Sequence, residues 1–183
     1  MAEEVLIDNL TRGHQFDGGP FALDLYRLLA MALSDRRMSG LGDETRYHQP
    51  PVWQLQDRFR KGEIIRILVS SATALRILLD QNPRLFKKTR VQQCGSLWSR
   101  WPKNKGKVEL LTLREACNKL IHATDIRDDL IIPDRRNNPD EVGTYIRPFV
   151  YLYGTKDGTL WRAKLSLVHF AQHATSIFLH WMP

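Results

Sequence analysis

The chain has 183 residues, a net charge of +7 and a hydrophobic fraction of 43%. It is long and apolar enough for one domain with a real core. The basic balance points to nucleic acid, an anionic surface or an acidic protein as partner. No apolar run approaches the roughly 18 residues of a membrane-spanning helix. Two cysteines, Cys94 and Cys117, are too few for a disulfide framework. The start, MAEEVLIDNLTRG, has neither the positive nor the apolar region of a signal peptide. The expectation is a single domain over residues 1–183, cytoplasmic, with reduced thiols.

Residues 1–19 read as a short leader with a strand near 4–7 and a turn at Asp17-Gly18-Gly19. Pro20 suits the first turn of a helix, where its missing N–H is not needed. Phe21, Leu25, Leu28, Leu29 and Ala32 recur at helical spacing through about Asp35. Residues 37–51, with two glycines and Pro50-Pro51, read as a loop. A long helical pattern runs from about Val52 to Gln81 on Leu55, Phe59, Ile64, Leu68, Ala72, Leu75 and Leu79. Gly62 marks a weak point where a bend is expected, and Asn82-Pro83 ends the pattern.

Residues 84–108 read as a basic, Trp-containing loop. They carry Arg84, Lys87, Lys88, Arg90, Arg100, Lys103, Lys105 and Lys107, and no acidic residue. Trp98 and Trp101 lie among these charges. A cationic segment gains affinity for phosphates by counterion release, and indole faces are platforms for unpaired bases. Lys87, Lys88, Arg90, Trp98, Arg100, Trp101, Lys103, Lys105 and Lys107 are therefore candidate nucleic-acid-binding residues.

The stretch Leu111–Thr124 opens on a capping-box pattern, Thr112 to Glu115. Leu113, Cys117, Leu120, Ile121 and Thr124 follow as one apolar stripe. Glu115 and Lys119 suit a solvated pair on the opposite side. Arg114, Asn118 and His122 step by four along the shoulder between. There an imidazole fixed by Asn118 could act as general acid or base, with Arg114 holding a phosphate.

The mixed-charge stretch 125–143 reads as a long loop. Tyr145–Tyr153 and Thr159–Leu165, joined by a turn at 154–158, read as a β-hairpin. Within it Trp161 and Ala163 share one face, and Arg162 and Lys164 the other. A final helix runs from about Ser166 to Trp181 on Leu167, Phe170, Ala171, Ala174, Phe178 and Trp181. His169, His173 and His180 form a stripe on it, but without a neighbouring Glu or Cys they read as a polar or interface face, not a metal site. The expected fold is mainly α: a four-helix bundle-like domain with a β-hairpin inserted before the C-terminal helix.

The residues around Asn118 and His122 resemble the motif of the HEPN superfamily, small helical domains of bacterial toxins and defence systems. Many of these are metal-independent endoribonucleases. Their motif is an Arg, often followed by Asn, with a His a few residues later. Asn118 and His122 stand where that Asn and His would. The motif's Arg position is Cys117 here, and Arg114 lies one turn earlier. The resemblance implies an RNA-directed protein in which His122, Asn118 and Arg114 are catalytic, no cofactor is needed, and two subunits meet as a homodimer. The alternative is a non-catalytic module that binds nucleic acid or an acidic protein, such as an accessory defence factor, an antitoxin-like partner or a phage-encoded inhibitor.

Overall fold

The structure is a computed structural model that describes residues 18–40, 51–82, 87, 89–103, 107–132 and 144–181. Among the described residues two long helices come first, α1 (Gly18–Ser39) and α2 (Pro51–Gln81). Strands β1 (Gln93–Trp98) and β2 (Glu109–Thr112) lead into a short helix, α3 (Leu113–Ile121). Strands β3 (Asp125–Ile131), β4 (Tyr145–Lys156) and β5 (Thr159–Ser166) follow, and helix α4 (Leu167–Trp181) closes the chain.

The five strands form one antiparallel sheet in the order β2-β1-β5-β4-β3. This overturns the mainly α, helical-bundle expectation. The hairpin of residues 145–165 is present as β4 and β5, but it is the middle of a sheet, not an insertion. Its turn at Asp157-Gly158 has positive φ at both residues, 50° and 71°, as a two-residue hairpin turn requires. Segments read as loops supply two of the other three strands, and β2 takes the residues just before α3, of which Leu111 and Thr112 were read as the start of the helical stretch. β1 lies inside the basic segment, and β3 fills the start of the 125–143 stretch.

Alternation along the strands separates the two faces of the sheet. Leu97, Val150, Leu152, Trp161, Ala163 and Leu165 are buried with the helices in a single core. Phe21, Leu25 and Leu28 of α1, Ile64, Leu68 and Leu75 of α2, and Phe170, Ala171 and Ala174 of α4 complete it. Two glycines permit close approach within the sheet. A Cβ at Gly95 would collide with the Lys164 carbonyl on β5, and one at Gly154 would enter the Trp161 ring.

Charged groups fix the helix layer. Arg66 holds Asp24 in two bonds of 2.7 and 3.0 Å. Nearer the other end of α1, Asp35 pairs with Arg60 at 3.2 Å and accepts from Gln56. The two helices therefore run antiparallel. Asp35, only 3% exposed, also accepts from the backbone N–H of Ile146 at 2.6 Å, which ties α1 to the start of β4. Gly62 leaves α2 one continuous helix; its position faces open space.

Expectations for residues 1–17, for 41–50 and for 133–143, including the strand near 4–7, lie outside the described residues, as do the side chains of His180 and Trp181. Among the described residues no helix is long and apolar enough to cross a membrane.

Candidate nucleic-acid interface

The second face of the sheet carries the most organised set of functional groups among the described residues. Register builds it. Trp98 on β1 lies opposite Arg162 on β5, and Arg162 opposite Tyr153 on β4. One step along, Ser96 lies opposite Lys164, Lys164 opposite Tyr151, and Tyr151 opposite Arg127 on β3. Side chains directly opposite in antiparallel strands share a face. The result is two parallel rows running across the strands, in which aromatic rings and cations alternate.

The distances show direct interaction. The Arg162 guanidinium carbon is 4.4 Å from the Tyr151 ring centroid, 4.6 Å from Trp101, 5.3 Å from Trp98 and 5.9 Å from Tyr153. The Lys164 ammonium is 4.4 Å from the Phe149 ring and 5.5 Å from Tyr151, and Arg127 lies 5.1 Å from Tyr153. All are within cation–π range. Trp98 and Trp101 meet edge to face at 6.4 Å, which brings the turn after β1 onto the same surface. Trp98, Trp101, Phe149, Tyr151, Tyr153, Arg162 and Lys164 are half-buried, while Arg127 is exposed.

Two carboxylates temper the charge. Asp129 lies 3.4 Å from Lys164, and Asp125 lies 2.6 Å from Arg127. At the β1–β2 end, Arg90, Arg100, Lys103 and Lys107 are exposed on segments flanking these two strands, as is Lys87. Lys88 and Lys105 lie outside the described residues. Of the predicted binding residues, the structure thus brings Trp98 and Trp101 into the cluster; Arg100, Lys103 and Lys107 lie between β1 and β2, after Trp98, while Lys87 and Arg90 precede β1.

Arg162, Lys164, Tyr151, Tyr153, Phe149 and Arg127 were not predicted. Their signal is present in the chain: F-x-Y-x-Y over Phe149–Tyr153 and R-x-K over Arg162–Lys164 are both period-2 patterns. What the chain does not display is the strand register that overlays them.

The predicted catalytic row has a different setting. Thr112 caps α3 as expected, its hydroxyl accepting from the Glu115 N–H at 3.4 Å. The Glu115 carboxylate turns instead to Asn118, which donates to it at 3.3 Å, and to Lys119 at 3.3 Å. Arg114 lies 4.0 Å from Asp80 of α2. His122 is the exposed C-cap of α3, its backbone N–H donating to the Asn118 carbonyl. The Asn118 side chain thus bonds to Glu115, Arg114 approaches α2, and Asn118 meets His122 through the backbone.

Lys119 corrects the expectation of a solvated pair. It is 8% exposed and lies 4.4 Å from the Trp161 ring, so its stem is packed while its ammonium still meets Glu115. Cys94 and Cys117 are both free and buried. Burial pushes the Cys94 thiol up to about 12 and raises Cys117 as well, which disfavours the reactive thiolate of each. On α4 the His169 and His173 rings are 6.4 Å apart, and His173 Nε2 is 3.3 Å from the Gln93 carbonyl. No group of three metal-ligating side chains occurs among the described residues.

Comparison of the chain with protein-family models, with curated proteins and with solved structures gives no match.

Proposed function

We propose that the protein binds single-stranded nucleic acid, RNA favoured, across the aromatic and cationic face of its sheet. The observation that carries this reading is the pair of cross-strand rows, Trp98–Arg162–Tyr153 and Ser96–Lys164–Tyr151–Arg127. Unpaired bases stack on ring faces whatever their sequence, and cations between the rings meet the phosphates that accompany them. A duplex hides its base faces and cannot use such a surface. The exposed Arg100, Lys103 and Lys107, in the connection that follows Trp98, support the reading by supplying a basic approach to the platform. Two free buried thiols agree with work in a reducing compartment such as the cytosol.

Fluorescence anisotropy tests this with labelled oligonucleotides: single-stranded RNA, single-stranded DNA and the matching duplex. Tight, salt-sensitive binding of single strands, weakened by Trp98→Ala and by Tyr153→Ala, is the expected result. Equal binding of duplex, or single-strand affinity untouched by both substitutions, would overturn it. Binding of an acidic protein with no nucleic-acid affinity would move the protein to the alternative class.

The same samples, kept in chelator, test the endoribonuclease that the HEPN resemblance implies. RNA cleavage by wild type that is lost in His122→Ala would make the protein an enzyme. Retention without cleavage keeps it a binding module. Sedimentation of the free protein tests the homodimer.

A further inference from the structure

The aromatic and cationic face ends at β3, and that strand brings two carboxylates onto it. Asp125 lies directly opposite Tyr153, so it closes the row Trp98–Arg162–Tyr153 on the same face. Asp129 stands two positions beyond Arg127, and its contact with Lys164 places it on this face too. Each carboxylate engages one of the platform's cations. Asp125 accepts from Arg127 Nε at 2.6 Å, and Asp129 lies 3.4 Å from the Lys164 ammonium. Arg162 has four rings about it but no carboxylate partner among the described residues. Three cations, Arg127, Arg162 and Lys164, set against Asp125 and Asp129 leave the cluster a net charge of only +1.

The two pairs differ in shelter. The Lys164 and Asp129 side chains are 29% and 13% exposed, against 66% and 40% for Arg127 and Asp125. Asp129 Oδ2, the oxygen that faces Lys164, is closed to solvent and has no hydrogen bond. A phosphate that drew Lys164 away would leave a sheltered charge with neither counter-ion nor hydrogen bond at that atom. The more exposed Arg127–Asp125 pair yields more readily. A polyanion approaching the face therefore meets two cations already engaged and two carboxylates that repel it. Counterion release, which favours any polyanion that reaches free cations, is suppressed here, whereas stacking on the rings is not. Guarding the β3 edge needs charge on that strand; it does not need a carboxylate that engages a lysine on β5.

We propose that Asp125 and Asp129 set the ligand class of this face. By engaging Arg127 and Lys164 they exclude polyanions that offer charge without bases, and they admit strands whose bases stack on the rings. The part that concerns bases rests on the single-strand reading above; the exclusion of base-free chains rests on the two carboxylates.

The test uses the full chain and two fluorescein-labelled probes of equal length, a single-stranded DNA and its abasic counterpart, followed by anisotropy across a range of salt. Wild type is expected to bind the abasic strand at least about tenfold more weakly than the base-bearing one, as the loss of one or two stacked bases implies. Asp125→Asn combined with Asp129→Asn should bind the abasic strand at least about tenfold more tightly than wild type. Its salt slope should steepen by about 1.4, at roughly 0.7 per freed cation. Adding Lys164→Gln to that variant should return about half of the slope change, which a merely structural effect of the two substitutions would not do. Unchanged abasic affinity and slope in the double variant, with an intact melting transition, would overturn the inference and leave the single-strand reading standing. Equal wild-type binding of the two probes would overturn the single-strand reading and the exclusion with it. Asp125→Asn alone, at the more exposed pair, gives the same test at half the slope change if the double variant unfolds.

Discussion

Arg162 and Trp98 are directly paired across the β5–β1 ladder, with the guanidinium carbon 5.3 Å from the indole centroid. The pair joins the two halves of the sheet on the face that faces away from the core. Three further rings surround the same guanidinium. One side chain thus organises a surface drawn from β1, β4, β5 and the turn after β1.

Arg162→Ala is expected to loosen that surface before it affects the core. A half-buried cation–π contact contributes about 0.5–2 kcal/mol, so the loss in a urea titration should fall in that range. Tryptophan emission should shift to the red in the folded baseline. Arg162→Lys should recover part of the stability but less of the nucleic-acid affinity, because an ammonium cannot lie flat against several rings.

Stacking and charge should separate by salt. Trp98→Ala should weaken single-stranded RNA binding by about 1–3 kcal/mol and leave the salt slope unchanged. Neutralising Arg100, Lys103 and Lys107 together should instead flatten the plot of log affinity against log salt. If all three meet phosphates the slope falls by about 2, at roughly 0.7 per contact on a single strand. Anisotropy titrations across a range of salt distinguish the two effects.

Asp35 joins α1, α2 and β4 through Arg60, Gln56 and the Ile146 N–H. Asp35→Ala leaves Arg60 without its counter-ion and the Ile146 N–H without its acceptor. Breaking a buried pair from one side costs about 3–5 kcal/mol, and chemical denaturation should show a loss of that size. No comparable loss is expected for Asp80→Ala, whose pairs with Arg76 and Arg114 are more exposed.

Two acids should respond to pH in opposite senses. Hydrogen bonding from Arg66 holds the Asp24 carboxyl below its usual value, against the pull of burial. Its contribution to stability is present above the unfolded carboxylate pKa and is lost as pH falls through the lower folded value. Arg66→Ala should therefore flatten stability on the acid side. Burial raises Asp128, opposed by Arg60 and Lys61. Its neutral form suits the fold, so stability is full below the unfolded pKa and declines as pH rises through the folded value. Asp128→Asn should be more stable than wild type at pH 7 and equal to it near pH 3, a comparison that urea titrations at both pH values check.

The helices were legible because burial on one side leaves a repeating mark. Phe21, Leu25, Leu28 and Ala32 carry it in α1, and Ile64, Leu68, Ala72, Leu75 and Leu79 in α2; all are buried. The strands that were missed lack such a mark. β3, DIRDDLI, is an edge strand, and the charges that protect an edge from unwanted pairing also disguise it as a loop. β1, QCGSLW, carries a glycine and an irregular register between Gln93 and Gly95, which breaks its alternation. Leu55 and Phe59 kept the helical rhythm of α2 without being buried, since on that stretch the inward position is taken by the polar Gln56, which bonds to Asp35. For the binding face, Trp98 and Trp101 were found through their basic surroundings. Arg162, Lys164 and the tyrosines were not, since their grouping depends on partners far away in the chain.

The β1–β5 ladder has a consequence for the order in which the molecule is made. β1 and β2 are ten residues apart in the chain and β4 and β5 two, whereas Gly95 must find Leu165 across most of the second half of the chain. Closing so long a loop costs entropy before the contact repays it, which slows folding. The Trp98–Arg162 surface therefore needs the β1–β5 join as well as the two hairpins. The Gly95 position, where any side chain would hold β1 away from β5, decides whether that final join is made. A chain with this join open would have lost its proposed binding surface while keeping its separate hairpins.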